Sequence, residues 1–217
     1  MIAYSHMTTA LCGIVIKLMT GAKLVVEVLT TPGCTFVTNR QRPRISDYLW
    51  CWYSNLCLHI SLWSCDCAHL LYPGQLDRYP MLRHIRTTVF HDFVPVSAVP
   101  RHAPSAEQYI LLVGAPWYLK GADLLVAAFR SLAPDFPGVR LKILGHYPDR
   151  ADLEALAAGL EGVEVLPAKP QSETLALISG ATIFVLASRC EGLPRVVIEA
   201  MAAGVPVWDP IRAASLL

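Results

Sequence analysis

The chain has 217 residues, 54% of them hydrophobic and 16% charged, which is ample material for a packed core and excludes disorder as the starting assumption. Eighteen Lys and Arg stand against seventeen Asp and Glu, with no block of like charge, so nucleic acid is not an expected partner. The most apolar stretch, 10–29, is interrupted by Lys17, Gly21, Lys23 and Glu27 and falls short of the ~18 uninterrupted apolar residues that a spanning helix needs.

From the N-terminus, no basic leader or small-residue cleavage site is present, and no translocation is expected. Helical spacing covers Thr8 to Met19, a strand pattern covers Lys23 to Leu29, a second helix runs around Ile45 to Leu62, and a short strand is expected at Thr88 to Phe93. Six of the seven cysteines precede residue 70. Cys65-Asp-Cys67 with His59 and His69 lacks the two-residue gap of zinc knuckles and a second paired cluster, so reduced thiols are expected and no metal site. Pro95, Pro100 and Pro104 then break the pattern. The predicted organisation is a first α/β domain over 1–95, a linker over 96–108 and a second domain over 109–217.

The second half alternates regularly. Strands are predicted at Tyr109 to Ala115, Val139 to Leu144, Val163 to Leu166 and Thr182 to Ala187. Helices are predicted at Gly121 to Leu132, Asp152 to Leu160, Ser172 to Ser179 (capped by Ser172) and Pro194 to Ala203. Solid apolar strands alternating with amphipathic helices are the mark of a doubly wound α/β domain, whose parallel sheet is covered on both faces.

Chemistry concentrates where strand Thr182 to Ala187 gives way to the helix opened by Pro194. Ligands of open parallel sheets bind beyond the carboxyl ends of the strands, where helix N-termini offer free N–H groups and partial positive charge to phosphate. Glu191 lies in this loop beside Gly192, and Glu199 follows five residues after Pro194, somewhat over one turn into the helix. A carboxylate suits sugar recognition because it accepts two hydrogen bonds from adjacent hydroxyls, and beside a reacting sugar carbon it stabilises cationic character. Lys120, at an earlier strand-to-helix turn, is a mobile cation beside another helix N-terminus. The helix ends at Gly204 and leads into a strand at Val205 to Val207.

Ser188-Arg-Cys-Glu191-Gly-Leu-Pro-Arg-Val-Val-Ile-Glu199-Ala-Met-Ala-Ala-Gly204-Val-Pro206 resembles the signature of family 4 glycosyltransferases. A second match, from Gly114 through Lys120-Gly121 into the helix Ala122 to Phe129, is similar to the first turn of that family's donor-binding domain. The resemblance implies a GT-B-like fold of two Rossmann-type domains around a cleft, and transfer of a sugar from a UDP- or GDP-linked donor with retention of configuration. It implies Lys120 at Gly114 on the donor's diphosphate, Glu199 on the ribose, and Glu191 with the backbone of Gly192, Leu193 and Arg195 on the transferred sugar. The nucleotide base would meet Pro167-Ala-Lys169. Neither metal nor other cofactor is implied, because cationic side chains and helix dipoles serve instead. The acceptor is left open among lipid, polysaccharide and small molecule, and so is peripheral attachment of a cytoplasmic protein to the inner membrane face.

The sequence also departs from the pattern. Ala115 stands where relatives carry an arginine after the glycine, with Arg189 and Arg195 as candidate replacements. Leu29 stands where many carry a histidine, with His6 at the end of a preceding strand as the alternative substrate contact. Relative to a complete member the chain looks cut at both ends, so a catalytically silent nucleotide-sugar-binding remnant is the competing expectation. A dinucleotide oxidoreductase would need a Gly-x-Gly-x-x-Gly turn, which the sequence lacks, and an epimerase is disfavoured by the Glu191 to Pro206 pattern.

Overall fold

In the computed structural model, which describes residues 1–29, 41–77, 84–91 and 93–209, the first strands run parallel in chain order. They are β1 (Ile2–Tyr4), β2 (Val25–Val28), β3 (Cys67–Leu70) and β4 (Thr87–Val89). Helix α1 (Thr8–Thr20) links the first pair and α2 (Ile45–Ser64) the second. Gly21 ends α1 in the left-handed region at φ 69° and donates its N–H to the Lys17 carbonyl at 2.8 Å, the close that a residue without Cβ makes cheaply. At the start of α2, Asp47 accepts the Arg44 N–H at 2.7 Å, filling one orphan donor of the first turn.

Ala3, Val26, Val28, Ala68 and Leu70 share one face of this sheet and are buried with Leu58 and Leu62 of α2 and Ala10 of α1. The alternate residues form the other face, where Tyr4, Glu27, His69 and Thr88 lie in register. Of these, Tyr4 is exposed and Glu27 and His69 are half-buried. Strand β3 is absent from the sequence expectation, because Cys-Ala-His-Leu offers no β-branched residue and its alternation spans only four positions.

The second unit holds five parallel strands in the order β7-β6-β5-β8-β9: β5 (Tyr109–Val113), β6 (Arg140–Gly145), β7 (Val163–Pro167), β8 (Ile183–Val185) and β9 (Val207–Trp208). The connecting helices are α3 (Ala122–Leu132), α4 (Arg150–Ala157), α5 (Gln171–Gly180) and α6 (Arg195–Ala203). In α3 the buried residues are Ala122, Leu125, Val126 and Phe129, the three-and-four spacing of a helix with one apolar stripe. They pack with Leu112, Leu141, Ile143 and Val185 on one face of the sheet. Leu111, Val113, Leu144 and Phe184 fill the other face with Leu175 and Ile178 of α5 and Val197 and Ala200 of α6. Each fully buried Leu, Ile or Phe contributes about 1.5–3 kcal/mol by leaving water, so the covering on both faces is what holds the doubly wound sheet.

Helix α4 starts at Arg150, two residues before the expected Asp152, and the caps of α5 and α6 differ from expectation. Pro170, not Ser172, occupies the N-cap of α5; a residue preset near φ −65° with no N–H to satisfy serves there, leaving Ser172 inside the first turn. Pro194 is likewise the N-cap of α6, in extended conformation, and Arg195 is the first helical residue. By internal packing the chain groups into a unit of Met1–Thr38, Arg42–Asp92 and Cys190–Leu193, and a second of Asn39–Gln41, Phe93–Arg189 and Pro194–Leu217. No helix among the described residues is long and apolar enough to cross a membrane.

Candidate functional site

The strand order of the second unit reverses between β5 and β8. The connections leaving the carboxyl ends of these neighbours therefore run to helices on opposite faces of the sheet, the place where such sheets bind ligands. The turn from β5 to α3 carries Gly114 and Lys120, and the segment after β8 carries the Ser188 to Pro206 motif.

Gly114 continues the β5 pairing by donating its N–H to the Leu144 carbonyl at 2.9 Å. Its own carbonyl accepts the Tyr147 hydroxyl at 2.8 Å, and burial holds that phenol's pKa above its usual range, so it stays a donor. The Lys120 side chain lies across Gly114: a Cβ there would sit 2.9 Å from Lys120 Cε and 3.1 Å from Cδ, at a φ of +142°. Lys120 donates its N–H to the Pro116 carbonyl at 3.0 Å. Gly121 then caps α3 at φ +71°, where a Cβ would fall 1.9 Å from the Ala187 carbonyl oxygen. The two turns press together there, and no side chain fits between them.

Glu199 lies inside α6 and is only 7% exposed, unlike the solvated position a helical glutamate usually takes. Burial raises its pKa, with the Arg195 charge one helical turn earlier and a hydrogen bond to the Gln171 side chain pulling the other way. Gln171 opens α5 just past Pro167-Ala-Lys169, so the predicted base-binding loop and the predicted ribose carboxylate converge. A buried carboxylate with so few partners is costly for the fold and marks a functional candidate.

Of the two replacement cations, Arg195 is exposed at the start of α6. Arg189 is committed elsewhere: it grips both carboxylate oxygens of Asp123 at 2.8 and 2.7 Å, donates to the Tyr118 carbonyl and stacks 3.8 Å over the Tyr118 ring. The expectation that Arg189 stands in for the missing phosphate-binding arginine is therefore corrected, because its charge is already neutralised. Nothing in the sequence pattern singles out Asp123, Tyr147 or Gln171; their roles depend on which turns the sheet order brings together.

Gly114, Lys120, Arg195 and Glu199 thus belong to the second unit. Glu191, Gly192 and Leu193 fall in Cys190–Leu193, which groups with the first. Within that unit, a Cβ on Gly192 would lie 2.7 Å from the carbonyl oxygen of Leu29. His6 is 4% exposed, its Nε2 3.0 Å from Ser54 Oγ and its carbonyl accepting Ser61 Oγ at 3.1 Å. Burial lowers its pKa to about 4, so the ring is neutral at pH 7. Among the described residues no cluster of three or more His, Cys, Asp or Glu is placed to hold a metal ion.

Solved structures share this architecture. Sucrose-phosphate synthase from Thermosynechococcus elongatus matches 96% of this chain and 55% of its own at TM-score 0.76 and 19% identity. TarM from S. aureus, solved in complex with Fondaparinux, alpha-GlcNAc-glycerol and UDP, matches 91% and 39% at TM-score 0.69 and 14% identity. These likenesses define the class as the GT-B fold of glycosyltransferases.

At the level of sequence, the family described as Glycosyl transferases group 1 matches residues 99–207, half of the chain. An uncharacterized glycosyltransferase of Haemophilus influenzae is 34% identical over 116 residues, 52% of this chain and 33% of that relative. The chain belongs to the glycosyl transferases group 1 family, and it spans about a third of the length of that curated relative.

Proposed function

We propose that this protein transfers a sugar from a UDP- or GDP-linked donor to an acceptor, with retention of configuration, and that the second unit binds the donor. The observation that carries the reading is the pairing, at the switch point of one parallel sheet, of a lysine folded across a close-packed glycine turn with a carboxylate buried in α6. Lys120 and the N-terminus of α3 meet the diphosphate, Glu199 accepts the ribose hydroxyls, and Pro167-Ala-Lys169 lies at the base. Glu191 and the backbone of Gly192, Leu193 and Arg195 hold the transferred sugar. The UDP bound in the TarM relative supports a nucleotide donor.

In this reading the bond between the sugar's anomeric carbon and the diphosphate oxygen breaks, and a bond to the acceptor hydroxyl forms on the same face. The acceptor's proton passes to the departing diphosphate, and Glu191 orients the sugar. Lys120 and the helix dipole offset the leaving charge, so neither metal nor other cofactor is required. The acceptor is a lipid, a polysaccharide or a small molecule, and the site of action is the cytoplasm or the inner membrane face.

A second reading, a donor-binding protein without turnover, is favoured by one observation: Ala115 replaces the expected arginine, and Arg189 is occupied by Asp123. Titrating the chain with UDP- and GDP-sugars, then assaying hydrolysis and transfer, separates the two. Binding with turnover that falls in Glu191→Ala supports transfer; binding without turnover supports the second reading; no binding overturns both.

A further inference from the structure

Arg189 reaches the Lys120 turn from three directions. Its backbone N–H donates to the Leu119 carbonyl at 2.8 Å, and its guanidinium donates to the Tyr118 carbonyl. The same guanidinium makes a bidentate bridge to Asp123 in the first turn of α3. These partners flank Lys120 on both sides in sequence. The stacked Tyr118 ring closes the fourth side.

Both members of the bridge are largely shielded, with side-chain exposures of 21% and 19%. Such a pair adds little net stability over an apolar contact of equal volume, because desolvation offsets most of its attraction. What it supplies is fixed geometry, since the guanidinium fork and the carboxylate meet in one plane. Gly121 packs closely on the Ala187 carbonyl, so the two turns are already in contact, and the bridge adds directional bonds on either side of Lys120 in sequence.

Resting on the donor-site reading above, we propose that Arg189 and Asp123 form a positioning latch that holds the Lys120 turn for the diphosphate of the donor, without touching the ligand. The latch works through Lys120 alone. Removing it therefore weakens diphosphate binding only while Lys120 is present, whereas a purely structural pair affects binding with or without that lysine.

The test is a double-mutant cycle on the whole chain, titrating UDP and GDP by calorimetry into the parent, Arg189→Lys, Lys120→Ala and the double variant. Asp123→Asn, which keeps volume and removes the charge, is a second disruption, and thermal melts report folding. Arg189→Lys is expected to weaken the tighter nucleotide about tenfold in the parent, equivalent to about 1.4 kcal/mol, and less than about twofold in the Lys120→Ala background. Equal weakening in both backgrounds, unchanged affinity, or loss of cooperative folding in both Arg189→Lys and Asp123→Asn overturns the latch. If the parent binds neither nucleotide, the donor-site reading falls and takes the latch with it.

Discussion

The two units solve the same packing problem to different degrees. In the second, β5 and β6 are buried from both sides, with separate apolar clusters above and below the sheet. In the first, among the described residues, the buried cluster lies on the α1 and α2 side, and β1, β2 and β3 read as strict alternations of buried and half-buried or exposed residues. The outer surface of its helices is rich in apolar side chains: Leu18 is 81% exposed, Trp52 65% and Trp63 75%. A parallel sheet covered on both faces makes continuous apolar strands, and the proposed donor-binding residues Gly114 and Lys120 lie in the turn that leaves one of those strands.

The sharpest way to break the contrast is at the point where the second unit tolerates no added atom. Gly121→Val places a branched side chain at φ +71° and 1.9 Å from the Ala187 carbonyl oxygen. It is expected to cost more than about 4 kcal/mol and to abolish cooperative melting of the second unit, while Gly138→Ala, at φ +95° but with open space around its Cβ position, costs only the backbone strain of about 1–3 kcal/mol.

Core truncation follows in size. Phe184→Ala, fully buried in the second unit, is expected to cost about 3–5 kcal/mol, and Leu58→Ala in the first about 2–4 kcal/mol. Denaturant melts that show Leu58→Ala to be the more damaging would contradict the view that the second unit is the better covered.

An acid titration separates the units by chemistry. His6 in the first unit titrates near 4 when folded, against 6.5 in an ordinary setting. Because its folded pKa is lowered, the unfolded chain takes up a proton that the fold refuses, and stability falls as pH drops from about 6.5 to about 4. The full loss corresponds to about 3 kcal/mol. His6→Gln is expected to flatten that slope, and an unchanged profile would remove His6 as its source.

The smallest expected change in stability belongs to the residue with the largest expected effect on binding. Burial raises the pKa of Glu199, so its charged form costs stability at pH values above the folded pKa, and that cost disappears as pH falls below the ordinary carboxylate range. Glu199→Gln is expected to leave the melting temperature unchanged or raised at pH 7 while weakening donor binding about tenfold or more. A lowered melting temperature with unchanged binding would reassign Glu199 to the fold.

These contrasts also explain what the sequence made legible. The five second-unit strands and their helices are readable because long apolar runs and helical stripes such as Ala122, Leu125, Val126 and Phe129 carry their own period. Strand β3 is not, because one-sided burial over four residues leaves too short a signal. Among the candidate residues, Gly114, Lys120, Glu191 and Glu199 stand out by motif and spacing. Gln171 on Glu199, Tyr147 on Gly114 and Arg189 on Asp123 do not: each joins residues far apart in sequence, and only the order β7-β6-β5-β8-β9 sets them side by side.

The central claim, that the second unit holds a nucleotide-sugar donor at its switch point, is tested most directly by titrating isotope-labelled chain with UDP- and GDP-sugars and following backbone amide shifts. The account predicts saturable changes confined mainly to 114–123, 167–171 and the start of α6, weakened but still saturable in Lys120→Ala. Shifts centred instead on the groove formed by Arg130, Phe136, Arg140 and Gly162 at the opposite ends of the strands, or no shifts at all, would contradict it.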